Sequence, residues 1–174
     1  MKLDITNDDL AASKRTYMTQ GNFFADIVAN LAETLEDTIG LQDAEGFIAV
    51  VGTSLGNEVS ALYDDGKPSD TKDIGRILVD LKERIGGEFK IESVSNDQIV
   101  LSNSRCPFGH RAEGKPSLCM MTTNVFGRVA ADRNGYAHVI VDDSIALNGK
   151  TCNVTVTLTP DLAPEGDGYE FFGR

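Results

Sequence analysis

A chain of 174 residues, 41% hydrophobic and 25% charged, holds enough apolar material for one buried core and too much for a disordered polymer. Its formal net charge of −11 repels phosphate backbones and anionic lipid, so neither nucleic acid nor a membrane surface is an expected partner. No apolar run approaches the roughly 20 residues of a membrane span, and the acidic opening MKLDITNDDL lacks the layout of a signal peptide, which makes the cytoplasm the expected location.

Residues 1–20 are polar and poorly patterned, and are expected to form a flexible N-terminal segment. From Asn22 onward Phe23, Phe24, Ile27, Val28, Leu31 and Leu35 recur at helical spacing, with Gly40 as the stop. A second helix is expected over about 44–63, where Phe47, Val50, Val51, Leu55, Val59 and Leu62 make an apolar face. Gly52 and Gly56 stand four apart on that helix. Each costs about 1 kcal/mol in a helix interior, so the pair predicts that another backbone approaches closely there. After the turn DDGKPSD, Ser69 or Asp70 can cap a third helix carrying Ile74, Ile77, Leu78, Leu81 and Ile85, and Gly86-Gly87 ends it.

The period then changes to two. Phe89 to Ile91 and Ile99 to Leu101 read as paired strands around a Ser95-Asn96-Asp97 turn. A loop from Asn103 to Pro116 leads to a fourth helix starting near Ser117. Strands follow at Tyr136 to Val141 and Thr151 to Leu158. The acidic C-terminal tail, 161–174, carries Tyr169, Phe171 and Phe172 for docking on the domain or on a partner. The expected fold is a single α+β domain over 21–160, with N-terminal helices packed on an antiparallel sheet made of two hairpins with an intervening helix.

Three cysteines in a cytosolic protein are expected to be free thiols rather than a disulfide frame. Each alone could be a small buried apolar residue. Cys106 lies in the rigid turn SRCPFGH, Cys119 in PSLCMM at a helix start, and Cys152 in the strand TCNVTVTL. Strand alternation puts Cys152 on the inward face with Val154 and Val156. A helix start favours thiolate at Cys119. A loop thiol, a helix-start thiol and an inward strand thiol could meet at one corner of the sheet. A tetrahedral zinc site would need a fourth ligand, with His110 first and Asp142 or Asp143 next. An iron–sulfur cluster and a metal-free small-molecule pocket are the alternatives. No Walker loop, zinc-protease motif, dinucleotide fingerprint or nucleophile elbow occurs in context. Two histidines leave little acid–base chemistry near neutral pH, so a non-enzymatic role is expected.

The stretches FIAVVGTSLGNEV, LVDLKERIGGEFKI, SRCPFGH, PSLCMMTTNVFGRVAA and GYAHVIVDDSIALNGKTCNVTVTL resemble the methanogen output domain family over about residues 40–173. More distantly, the cysteine pattern is similar to 4-vinyl reductase-type sensing domains and to the C-terminal domains of Suf-type iron–sulfur repressors. Cys106, Cys119 and Cys152 match the first, second and last cysteines of the repressor pattern, while the cysteine expected between Cys119 and Cys152 is absent. The resemblance implies a signal-transduction sensor or output domain with a three-cysteine metal, cluster or small-ligand pocket. Such a domain would regulate a signalling partner, a kinase or regulator, and its N-terminal helices would offer a homodimer face. The alternatives are a thiol-dependent or redox enzyme using Cys119, and a metal-free interaction module.

Overall fold

A computed structural model describes residues 19–66 and 69–174. The flexible segment expected at 1–20 lies almost wholly outside the described residues. Among the described residues four α-helices and five strands form the domain, and no helix is long and apolar enough to cross a membrane.

Helix α1, Gln20–Ile39, begins at Thr19, whose side chain accepts from Asn22 N–H at 3.2 Å. Gly40 separates it from α2, Leu41–Tyr63, and adopts φ 84°, ψ 162°. An L side chain resists that geometry, so the chain breaks direction in one residue. Helix α3, Thr71–Arg84, is capped by Asp70, which accepts from Asp73 N–H at 2.8 Å. Strands β1, Phe89–Val94, and β2, Gln98–Asn103, form the first hairpin. A 3-10 turn at Pro116–Leu118 runs into α4, Cys119–Asn134, which ends on left-handed Gly135. Strands β3, Tyr136–Asp143, and β4, Cys152–Thr157, make the second hairpin.

The two hairpins join edge to edge through β2 and β4, giving one antiparallel sheet of order β1-β2-β4-β3-β5. Its last strand, β5, Tyr169–Phe172, comes from the segment read as an acidic tail, and pairs Tyr136 with Phe172 and Val139 with Tyr169. Two tertiary contacts anchor it. Phe171 lies against Gly127 of α4, where a Cβ has no room, and Arg128 donates to the Phe172 carbonyl. Four residues among Gly and acid give little strand signal, so the pairing depends on these contacts.

The main core lies between the sheet and helices α3 and α4, around Phe126, Leu78, Ile99, Leu101 and Val156. The close approach expected at Gly52 and Gly56 is present. A Cβ at Gly52 would stand 2.9 Å from Asn124 Cβ, and one at Gly56 would stand 2.8 Å from Arg128 Cβ. Helix α2 thus lies directly on α4. A second, smaller cluster fills the space under α1 and α2, with Ala32, Ile48, Leu118, Met120 and Ala146 at its centre. Cys106, Phe108 and Cys119 pack against it.

Candidate functional site

Sheet register brings the first two parts of the site together. Asn103, the last residue of β2, pairs with Cys152, the first of β4. The Asn103 side-chain carbonyl accepts from Glu88 N–H at 3.1 Å and from Arg105 N–H at 3.0 Å. This fixes the path of the chain just before Cys106. The Cys-Pro-Phe-Gly segment then turns tightly, with Gly109 N–H donating to the Cys106 carbonyl at 2.8 Å and Gly109 at φ 62°.

Helix α1 clamps the loop that follows. Arg111 pairs with Asp26, and Lys115 Nζ reaches Glu33 Oε2 at 3.4 Å. Glu36 Oε1 accepts from Ser117 N–H at 2.9 Å, placing a carboxylate where the helical N–H groups start. Cys119 is delivered at the first residue of α4.

All three thiols line one cavity of about 30 Å³, with Asn103, Pro107, Phe108 and Thr122 among its walls. That volume holds a water or two, or a single ion. The remaining lining is apolar, including Leu118, Val141 and Val154. Cys152 Sγ accepts from Ile145 N–H at 3.4 Å. The inward direction expected for Cys152 therefore holds, and residues 106, 119 and 152 converge.

The electrostatics differ from the expectation at the helix start. Burial pushes the Cys119 thiol up to about 11, against a downward pull from the Ser144 hydroxyl. Burial also raises Cys106, although the N–H groups of Phe108 and Gly109 and the charge of Lys82 oppose it. Cys119 is the first α-helical residue, yet its N–H already bonds the carbonyls of Pro116 and Ser117. The positive end of the helix lies one turn earlier, at Ser117, where Glu36 takes it. Desolvation is left to dominate at Cys119.

The expected fourth ligands lie elsewhere. His110 is exposed on the 3-10 turn Gly109–Ala112 and does not line the cavity. Asp142 and Asp143 are exposed near the end of β3, accepting from Thr155 Oγ1 at 3.4 Å and from Asn153 Nδ2 at 3.2 Å. Among the described residues no three His, Cys, Asp or Glu side chains are grouped so as to hold a metal ion. In this arrangement the set does not fit a closed zinc or cluster site, although its thiol chemistry suits both.

Sequence reasoning missed Lys82. It projects from α3 into the wall behind the cavity and is 3% exposed. Its ammonium donates to Thr122 Oγ1 at 2.8 Å and lies 5.5 and 5.2 Å from the ring centroids of Phe89 and Phe126. Burial pushes it down to about 8, while Cys106, Cys152 and Cys119 oppose the fall. A signal existed: Lys82 is four residues past Leu78 and eight past Ile74, on the apolar stripe of its helix.

Compared with known proteins, the chain matches the family model described as methanogen output domain 1 over residues 27–157. That span includes Lys82 and all three cysteines. No curated protein matches the chain.

Proposed function

Because this chain belongs to the methanogen output domain 1 family and so has a signalling-related role, we propose that it is a non-enzymatic output domain. In this reading the three-cysteine cavity widens at its Cys106–Phe108 wall to receive a small ligand, and the α1–α2 surface passes the change to a protein partner, a kinase or regulator. One observation carries the reading. Three thiols far apart in sequence line one cavity, and its Cys106–Phe108 wall packs into the cluster beneath α1 and α2. An occupant that displaces this wall pushes on α1, which is tied to the same loop by Arg111, Lys115 and Ser117.

The thiol environment supports binding over catalysis. An activated nucleophile needs a lowered pKa, and Cys119 stands at about 11. The outer faces of α1 and α2 expose Phe23, Phe24, Phe47, Val50 and Leu62, and this is the face on which we place the homodimer contact. Zinc or an iron–sulfur cluster is the second reading, favoured by three sulfurs on one cavity.

The test combines composition with response. Elemental analysis and a visible spectrum of anaerobically purified protein are expected to show neither stoichiometric metal nor broad absorption near roughly 400 nm. Stoichiometric metal would move the assignment to the second reading. The partner response should be lost in C106A/C119A/C152A. Full response in that variant would leave a plain interaction module.

A further inference from the structure

Lys82 is an ammonium buried where the stripe of α3 calls for an apolar side chain. Among the described residues it forms no ion pair, and its hydrogen bond is the one to Thr122. An ammonium carries three N–H donors. Burying such a charge without a counter-ion costs several kcal/mol, only partly offset by aromatic faces. Nor do two of the nearby thiols supply that charge, since burial raises both Cys106 and Cys119 and holds them protonated at neutral pH.

Lys82 is also one of the residues lining a surface groove of about 270 Å³ that borders Pro107 and Phe108 of the Cys-Pro-Phe-Gly turn. Phe24 and Val28 of α1, Ile85 beyond α3, and Met121 of α4 form its sides. Pro107 and Phe108 wall both this groove and the thiol cavity. Every other residue lining the groove is apolar, so among the described residues Lys82 brings its one polar side chain. An apolar trough with one desolvated cation is complementary to a small organic anion with a hydrocarbon body.

We propose that this groove is the binding site for a small apolar monocarboxylate, its carboxylate on Lys82 Nζ and its hydrocarbon body against Phe24, Val28, Ile85 and Met121. This rests on the reading of the chain as a ligand-responsive output domain and adds to it a second site with its ligand class. The carboxylate supplies the missing counter-charge. The hydrocarbon meets Pro107 and Phe108, so binding bears on the segment that carries Cys106.

Hexanoate is the probe, with hexanamide as its uncharged counterpart and acetate as the anion without the body. Isothermal titration and thermal melting of the whole chain read binding. Hexanoate should bind about ten-fold or more tightly than either control, a difference of about 1.4 kcal/mol. K82M, which keeps the volume and removes the charge, should lose that preference and bind hexanoate and hexanamide alike. Equal binding of hexanoate and hexanamide by the wild-type chain would overturn the proposal without any variant. Undiminished hexanoate binding by K82M, or none at about 10 mM in the wild type, would do the same. The cysteine reading is separable. C106A/C119A/C152A should still bind hexanoate, even if that variant shows the thiols to be dispensable for the partner response.

Discussion

The two apolar clusters of this domain are built from different material. The cluster between the sheet and helices α3 and α4 is the larger, dominated by Phe126, Leu78, Ile99, Leu101 and Val156. The cluster under α1 and α2 is smaller, made largely of alanines and sulfur-bearing residues, and it borders the thiol cavity. The first accounts for stability through buried area. The second gives up area for a hole and for the thiols of Cys106 and Cys119, and the Lys82 ammonium lies at the border, over Phe89 and Phe126 of the first. Sites that respond to ligands are drawn from the less stable parts of a structure, and the proposed site lies where the two clusters meet.

The sharpest way to break this comparison is truncation in the main core. Phe126→Ala should cost about 3–5 kcal/mol in urea denaturation, because Phe126 is fully buried and meets Phe89 edge-on. Phe108→Ala, in the wall of the cavity, should cost less than half as much. Equal losses would mean that the second cluster is as tightly packed as the first.

The next effect is pH-dependent and belongs to Lys82. Its folded value of about 8 lies below the ordinary value of about 10.4. Below pH 8 both states are charged and the folded state bears the whole cost of burial. Between pH 8 and about 10.4 the unfolded chain still binds the proton that the folded chain has released, so stability rises with pH. Relative to K82M, the wild-type chain should gain about 3 kcal/mol across that window. The charge of Lys82 also acts on Cys106, so the comparison is made in a C106A/C119A/C152A background, where no thiol titrates. A difference that stays flat from pH 7 to 10.5 would show that the ammonium is solvated.

A smaller effect tests how α2 couples the two clusters. Gly52→Ala should cost about 1–3 kcal/mol, since the new methyl meets Asn124 Cβ and the Met120 carbonyl. Gly46→Ala, in the same helix with open space around it, should be neutral or slightly stabilising. Calorimetric melting of both variants checks the contrast.

The smallest change in monomer stability is expected on the outer surface. Val50→Glu and Leu62→Glu replace residues that are 72% and 82% exposed, so folding stability should move by only about 0.5 kcal/mol. Sedimentation should nonetheless shift from dimer to monomer. A chain that is monomeric before substitution removes the dimer from the proposal.

Much of the architecture was legible in the residues. The stripes of the first three helices, the cap at Asp70 and the alternation of the paired strands are local patterns. Gly52 and Gly56 announced a close contact without saying with what. Strand β5 was not legible, because YEFF follows a run of Gly and acid and is held by Gly127 and Arg128, more than 40 positions away. At the site, the cysteines could be named and Cys152 oriented. The state of Cys119 could not, because it turned on burial by segments distant in the chain.

By itself, then, the sequence determined which segments other than β5 are helix and strand and which residue types could do chemistry, since both follow from near neighbours along the chain. Only the tertiary structure decided that three thiols share a cavity, that burial keeps Cys119 protonated, and that Lys82 stands behind them without a carboxylate. Those outcomes depend on desolvation and on charges approaching through space, and neither is a function of distance along the chain.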